Sequence, residues 1–97
     1  MTVATATICN KKGLHARAAA KLVKLAGSFD ARVEVVRKPR PNEMQEDTRA
    51  GATSILSLLM LAAEKGVVVE LHSSGTQAEE AVAAIVGLIE RKFDEDE

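Results

Sequence analysis

His15 stands in the run Gly13-Leu14-His15-Ala16-Arg17. Its neighbours suit it to phosphoryl chemistry. Glycine permits a sharp turn or a close backbone approach. The segment that follows, Ala16 to Ala26, is rich in alanine and lysine and reads as a helix. A histidine at such a helix start lies beside backbone N–H groups that have no intrahelical acceptor, at the positive end of the helix dipole. Together these make a seat for an anion. Arg17 adds a planar guanidinium able to hold phosphate through two hydrogen bonds. An imidazole that is mostly neutral at pH 7 is a competent nucleophile. The arrangement predicts a histidine that carries a phosphoryl group, with Arg17 as the group that steadies it.

The elements that must position His15 can be traced on both sides of it. Thr2 to Ile8 alternates Val3, Thr5 and Thr7 against Ala4, Ala6 and Ile8, which predicts a strand. Asn10 to Gly13 reads as a turn. In the helix after it, Ala19, Leu22, Val23 and Ala26 recur at the spacing of one buried face, while Arg17, Lys21 and Lys24 share another. Gly27 is expected to close that helix.

A second strand is predicted over Arg32 to Arg37, with Val33 and Val35 on one side. Pro39-Arg40-Pro41-Asn42 breaks the chain into a loop, because neither proline can donate to a ladder. Residues 44–50 are expected to hold a short third strand. Ser54 is a good N-cap for a helix from Ile55 to about Glu64, closed by Gly66. Val67 to Leu71 reads as a strand of continuous apolar character. Thr76 and Glu79 have capping-box spacing, and the helix they open carries Ala78, Ala81, Val82, Ile85, Leu88 and Ile89 on one stripe, ending near Lys92. The order β-α-β-β-α-β-α, with one apolar stripe per helix, predicts a two-layer α+β domain.

Composition narrows the function classes. Ninety-seven residues, 46% apolar and 28% charged, form one ordinary globular domain over 1–97. No stretch is long and apolar enough to cross a bilayer, and no signal peptide is visible, so membrane insertion is not expected. The single cysteine, Cys9, allows no internal disulfide, which points to a reducing cytoplasm. Cys9, His15 and His72 lack metal-ligand spacing, so no metal and no cofactor is expected. Phe29 and Phe93 are the only aromatics, too few for stacking on nucleic acid. Charge is uneven: residues 1–29 hold Lys11, Lys12, Arg17, Lys21 and Lys24 and no acid, whereas the chain finishes Asp94-Glu95-Asp96-Glu97. The basic surround of His15 suits an acidic or phosphorylated partner, and the acidic run 94–97 reads as a solvated tail. His72 alternates with Glu70 and is expected to be exposed and without function.

Three blocks resemble the histidine-containing phosphocarrier (HPr/NPr) family of the bacterial phosphoenolpyruvate-dependent phosphotransferase system. They are Asn10 to Ala20 around His15, Thr53 to Ala63, and Gly66 to Leu88 with Gly75. The usual motif has proline where Ala18 stands, and the loop from Lys38 to Arg49 is longer than typical. The resemblance implies an open-faced sandwich, a four-stranded antiparallel sheet covered on one face by three helices. It implies that His15 takes a phosphoryl group on Nδ1 from enzyme I and passes it to an A-type enzyme II domain, in sugar uptake or a nitrogen-related regulatory branch. The protein would then be a phosphoryl-transfer intermediate and a monomer rather than an enzyme turning over alone. Ser54 matches the serine that HPr kinase modifies in some members, so it can serve as both cap and regulatory site.

At 100° per residue, Ile55, Leu58, Leu59 and Ala62 form the stripe expected to face the sheet, with Ser57 and Glu64 opposite. Leu56 and Met60 then fall near the solvated side, where a plain surface helix carries charges. Apolar residues there read as a docking surface, and methionine suits one that accepts several partners. With Ala16, Ala20, Lys21 and Lys24 of the first helix, Ile55, Leu56, Leu59 and Met60 form the expected partner-binding set. A rival reading keeps the fold but makes the protein a regulatory binding module controlled at Ser54, with no phosphoryl transfer.

Overall fold

The computed structural model describes residues 1–44 and 46–96. Strands β1 (Thr2–Thr7), β2 (Arg32–Arg37), β3 (Thr48–Gly51) and β4 (Val68–Ser74) form one antiparallel sheet in the order β1-β4-β2-β3. Helices α1 (Ala16–Gly27), α2 (Ile55–Leu59) and α3 (Ala78–Glu90) alternate with the strands, and a 3-10 turn at Lys92–Asp94 follows α3. Register aligns the inward residues: Ala6 faces Val69, Ala4 faces Leu71, and Val35 lies between Leu71 and Ala50. Those side chains meet Ala19, Leu22, Leu58, Ile85 and Leu88 in one core. The expected α+β order and open-faced sandwich are therefore what the chain forms.

Several boundaries move, each for a local reason. The second helix stops at Leu59 instead of running to Glu64, because Ala62 turns to φ 52° and reverses the chain. That turn buries both Leu61 and Ala63 and frees the Ala63 carbonyl to accept from Leu14 N–H at 2.9 Å. Ile55 and Ala62, expected to face the sheet, are exposed; Leu58 alone of that stripe is fully buried, with Leu59 partly so. Ser57 is half-buried rather than solvated.

Gly66 does not cap a helix: at φ +93° it donates its N–H to Ile8 O at 2.7 Å and leads the chain into β4. Gly27 is the last residue of α1, which ends on Ser28 at a right-handed φ of −82°. The third strand occupies Thr48–Gly51, and Gln45 of the expected 44–50 span lies outside the described residues. The fourth runs on to Ser74, with Val69, Leu71 and Ser73 buried in alternation. Thr76 forms no capping box; its hydroxyl donates to the Asp30 carboxylate, tying α3 to the loop before β2.

The end of the chain departs most from expectation. Lys92, Phe93 and Asp94 take left-handed φ values of 59°, 54° and 62°, a conformation that L-residues rarely adopt in succession. The turn drives the Phe93 ring fully into the core and brings Glu95 to half-buried depth. Residues 94–96 are thus not a simple solvated tail, and Glu97 lies outside the described residues.

Candidate functional site

Gly13 makes the approach to His15 possible. Its φ is +68°, and a Cβ there would come within 2.6 Å of Ala63 O and 2.9 Å of Glu64 Cα. With Leu14 N–H bound to Ala63 O, this contact sets the loop before α1 against the chain leaving α2. His15 N–H turns back to Gly13 O at 3.0 Å, and His15 O accepts from Ala19 N–H at 2.8 Å.

His15 is the N-cap residue of α1, in extended backbone (φ −85°, ψ −179°), and its ring does not cap the helix. The N–H groups of Ala16, Arg17 and Ala18 stand in the first turn, where helix geometry supplies no acceptor. No acidic side chain occupies that turn. Ala18, where the usual family motif has proline, keeps a backbone donor there and is fully buried.

The ring is half-buried, because a carboxylate covers one of its nitrogens. Glu95 Oε2 meets His15 Nε2. Glu95 Oε1 accepts from Asn10 Nδ2 at 2.9 Å, and the same amide donates to Gly13 O at 2.8 Å. Asn10 is fully buried, so the carboxylate is tied to the floor of the His15 loop. Burial pushes the Glu95 carboxyl up, but hydrogen bonds from Asn10 and His15 and the nearby Lys12 charge outweigh it and hold it below the usual carboxylate range. Lys11, Lys12, His15, Arg17, Glu95 and Asp96 line a depression of about 210 Å³. Arg17 is exposed and, among the described residues, forms no ion pair.

The remaining predicted residues divide. Ser54 caps α2, accepting from Ser57 N–H at 3.1 Å. Leu56 is 68% and Met60 75% exposed, with Ile55 at 40%, so an apolar patch does stand on α2. Helices α1 and α2 pack together, and the bond from Leu14 N–H to Ala63 O joins the chain leaving α2 to the loop before α1. Ala16 and Lys24 are exposed and Ala20 and Leu59 half-buried. Lys21 is partly withdrawn: its Nζ donates to Phe93 O at 2.6 Å. His72 is half-buried, its Nε2 paired with Glu70 Oε1 at 3.0 Å on the open face of the sheet. Among the described residues no cluster of His, Cys, Asp or Glu could hold a metal ion, and no helix is long and apolar enough to cross a membrane.

Glu95 is the site residue that sequence reasoning missed. Its separation from His15 by 80 positions hides the contact, and the one available signal was an aromatic residue, Phe93, inside a run otherwise charged.

Residues 3–91 match the family model described as the PTS HPr component phosphorylation site. The chain is 46% identical over 91 residues to the phosphocarrier protein HPr of Pseudomonas aeruginosa, covering 94% of this chain and 93% of that one. It is 45% identical over 92 residues to the phosphocarrier protein NPr of Escherichia coli strain K12, covering 95% and 94%. A crystal structure of HPr from Thermoanaerobacter tengcongensis superposes with a TM-score of 0.82 at 38% identity, over the full length of both chains.

Proposed function

The chain belongs to the HPr/NPr family of phosphocarriers of the phosphotransferase system, and from that premise we propose that His15 is its phosphoryl-accepting residue. Enzyme I, charged from phosphoenolpyruvate, is the donor, and an A-type enzyme II domain is the acceptor. The observation that carries the reading is the seat around His15: three N–H groups of the α1 first turn, the exposed Arg17 guanidinium, and Lys11 and Lys12 on the depression's wall. Helix dipole and cations both favour added negative charge there. The dipole contributes about 0.3–1 kcal/mol at an exposed site.

Transfer needs no proton to leave the protein. The Nδ1 lone pair attacks the donor phosphorus, an N–P bond forms, and the donor's bond to phosphorus breaks with its electron pair. The reverse sequence delivers the group onward. Arg17 neutralises charge on the phosphoryl oxygens without bonding covalently. The exposed Leu56 and Met60 supply a docking face on α2, and successive partners that share it form transient complexes.

The regulatory-module reading lacks support of this kind, since it leaves the anion seat unused. The test is incubation with phosphoenolpyruvate and enzyme I. Wild-type protein should gain one acid-labile, base-stable phosphate, and His15→Ala should gain none while keeping its fold. A His15→Ala protein that still becomes phosphorylated would overturn the assignment.

A further inference from the structure

Glu95 lies beyond residues 3–91, the span that the family model matches, yet it is built into the site. Its backbone is fixed from below. Phe93, two residues earlier, is fully buried, and its carbonyl accepts from Lys21 Nζ at 2.6 Å. Asp94 N–H donates to Arg91 O at 2.9 Å and Glu95 N–H to Lys92 O at 3.0 Å. Its side chain is fixed from above, one oxygen on the buried Asn10 amide and the other on the ring. A freely solvated acidic end would have none of these five attachments.

We propose that Glu95 is a positioning residue for phosphoryl transfer, accepting the Nε2–H of His15 and so presenting Nδ1, with its lone pair free, as the nitrogen that takes the phosphoryl group. This rests on the assignment of His15 as the acceptor. The tautomer follows from the partner. An ionised carboxylate can only accept, so the proton shared by the pair belongs to Nε2, and a neutral ring then has its lone pair on Nδ1. The hydrogen bonds and the Lys12 charge that hold Glu95 ionised work in the same direction.

The carboxylate also matches the charge change of the step. When Nδ1 bonds to phosphorus, the Nε2–H stays on and the ring becomes cationic. Glu95 then faces a positive ring, as an acid behind a catalytic imidazole does. When the group passes on, the N–P bond breaks with its electrons returning to Nδ1, and the Nε2–H–Glu95 hydrogen bond is again that of a neutral ring. The other charged groups facing the pair are Lys11 and Lys12 from the loop, Arg17 from α1 and Asp96 from the tail.

The test uses the full chain and needs no partner protein. In wild-type protein with a neutral ring, a downfield, slowly exchanging proton should be seen on His15 Nε2 by ¹H–¹⁵N correlation. It should vanish in Glu95→Ala. With phosphoramidate, which transfers its phosphoryl group and releases ammonia, Glu95→Ala should be phosphorylated about tenfold more slowly. Glu95→Gln, a neutral acceptor of nearly the same shape, should fall between the two. Amide spectra of both variants check that the sheet and α1 are unchanged. An Nε2 proton and a rate that are the same in wild type and Glu95→Gln and Glu95→Ala would overturn the proposal. A faster rate in Glu95→Ala would overturn it too, because the carboxylate would then be obstructing the donor. Phosphorylation persisting in His15→Ala would instead remove the assignment beneath it.

Discussion

Arg17 stands two residues past His15, exposed and, among the described residues, without an ion pair, so its guanidinium is available to an incoming phosphate. A charge-assisted hydrogen bond is worth about 1.5–3 kcal/mol net, and solvent around Arg17 sets the lower end. Arg17→Ala should therefore slow transfer from phosphorylated enzyme I by about tenfold, and the deficit should shrink as salt is added. Equal rates for wild type and variant at low salt would take Arg17 out of the site. His15 and Arg17 could be singled out directly from the chain because the cues to them are neighbours in sequence: a glycine before, a helix start after. Glu95 acts on the same ring but could not be read so. Its position depends on a left-handed turn at Lys92–Asp94 that no proline, glycine or asparagine announces. The Asn10 amide that holds it is likewise unremarkable as a turn residue in sequence, and only burial shows its double use.

Helix α2 shows how the same limits act on an element. Its start was legible because Ser54 is a chemical signal, an oxygen placed to accept from the N–H of Ser57. Its end was not, because the apolar run Ile55 to Ala63 continues smoothly through the point where Ala62 reverses the chain. The reversal serves a distant contact, Leu14 N–H on Ala63 O, that periodicity does not encode. Ile55 joins Leu56 and Met60 on the exposed side of α2. Leu56→Asp or Met60→Asp should weaken binding to both enzyme I and the acceptor domain while the melting temperature changes little. Amide shifts on titrating either partner should cluster at residues 15–21 and 54–60; shifts confined to the strands or α3 would refute this surface. Ser54→Asp keeps an acceptor at the N-cap and puts negative charge at the favourable end of the dipole. It should be tolerated by the fold yet weaken docking of an acidic partner beside the basic patch, and an unchanged enzyme I affinity would exclude Ser54 as a control point.

The whole molecule is an antiparallel sheet on which α1 packs against both α2 and α3, with the carboxy-terminal turn held to α1 through Lys21 Nζ and Phe93 O. The layers were visible in the alternation of β1 and in the stripe of α3, where each expected residue from Ala78 to Ile89 is buried. What joins the two ends of the chain was not, because the 3-10 turn carries charged residues around a single ring, and charge patterning alone reads as solvated. That closure should depend on the ionisation of Glu95. Burial pushes its carboxyl up, while hydrogen bonds from Asn10 and His15 and the Lys12 charge pull it down further, so its folded value lies below its unfolded one. A depressed carboxylate contributes stability that is fully present above the unfolded carboxylate range and is lost as pH falls through the folded value. The turn should therefore hold from neutral pH to below the ordinary glutamate range near 4.3, and open only when Glu95 itself takes a proton. The Asn10 side-chain amide and the Gly13 amide, followed through acid titration, should move together in one late transition. Glu43, whose carboxyl is also depressed, chiefly by the Arg40 backbone hydrogen bond opposed by burial and aided by Arg37, will titrate in the loop after β2. Glu43→Gln should leave the transition at Asn10 and Gly13 in place, whereas Glu95→Gln should abolish it. A transition at Asn10 and Gly13 that survives Glu95→Gln would show that another group holds the turn.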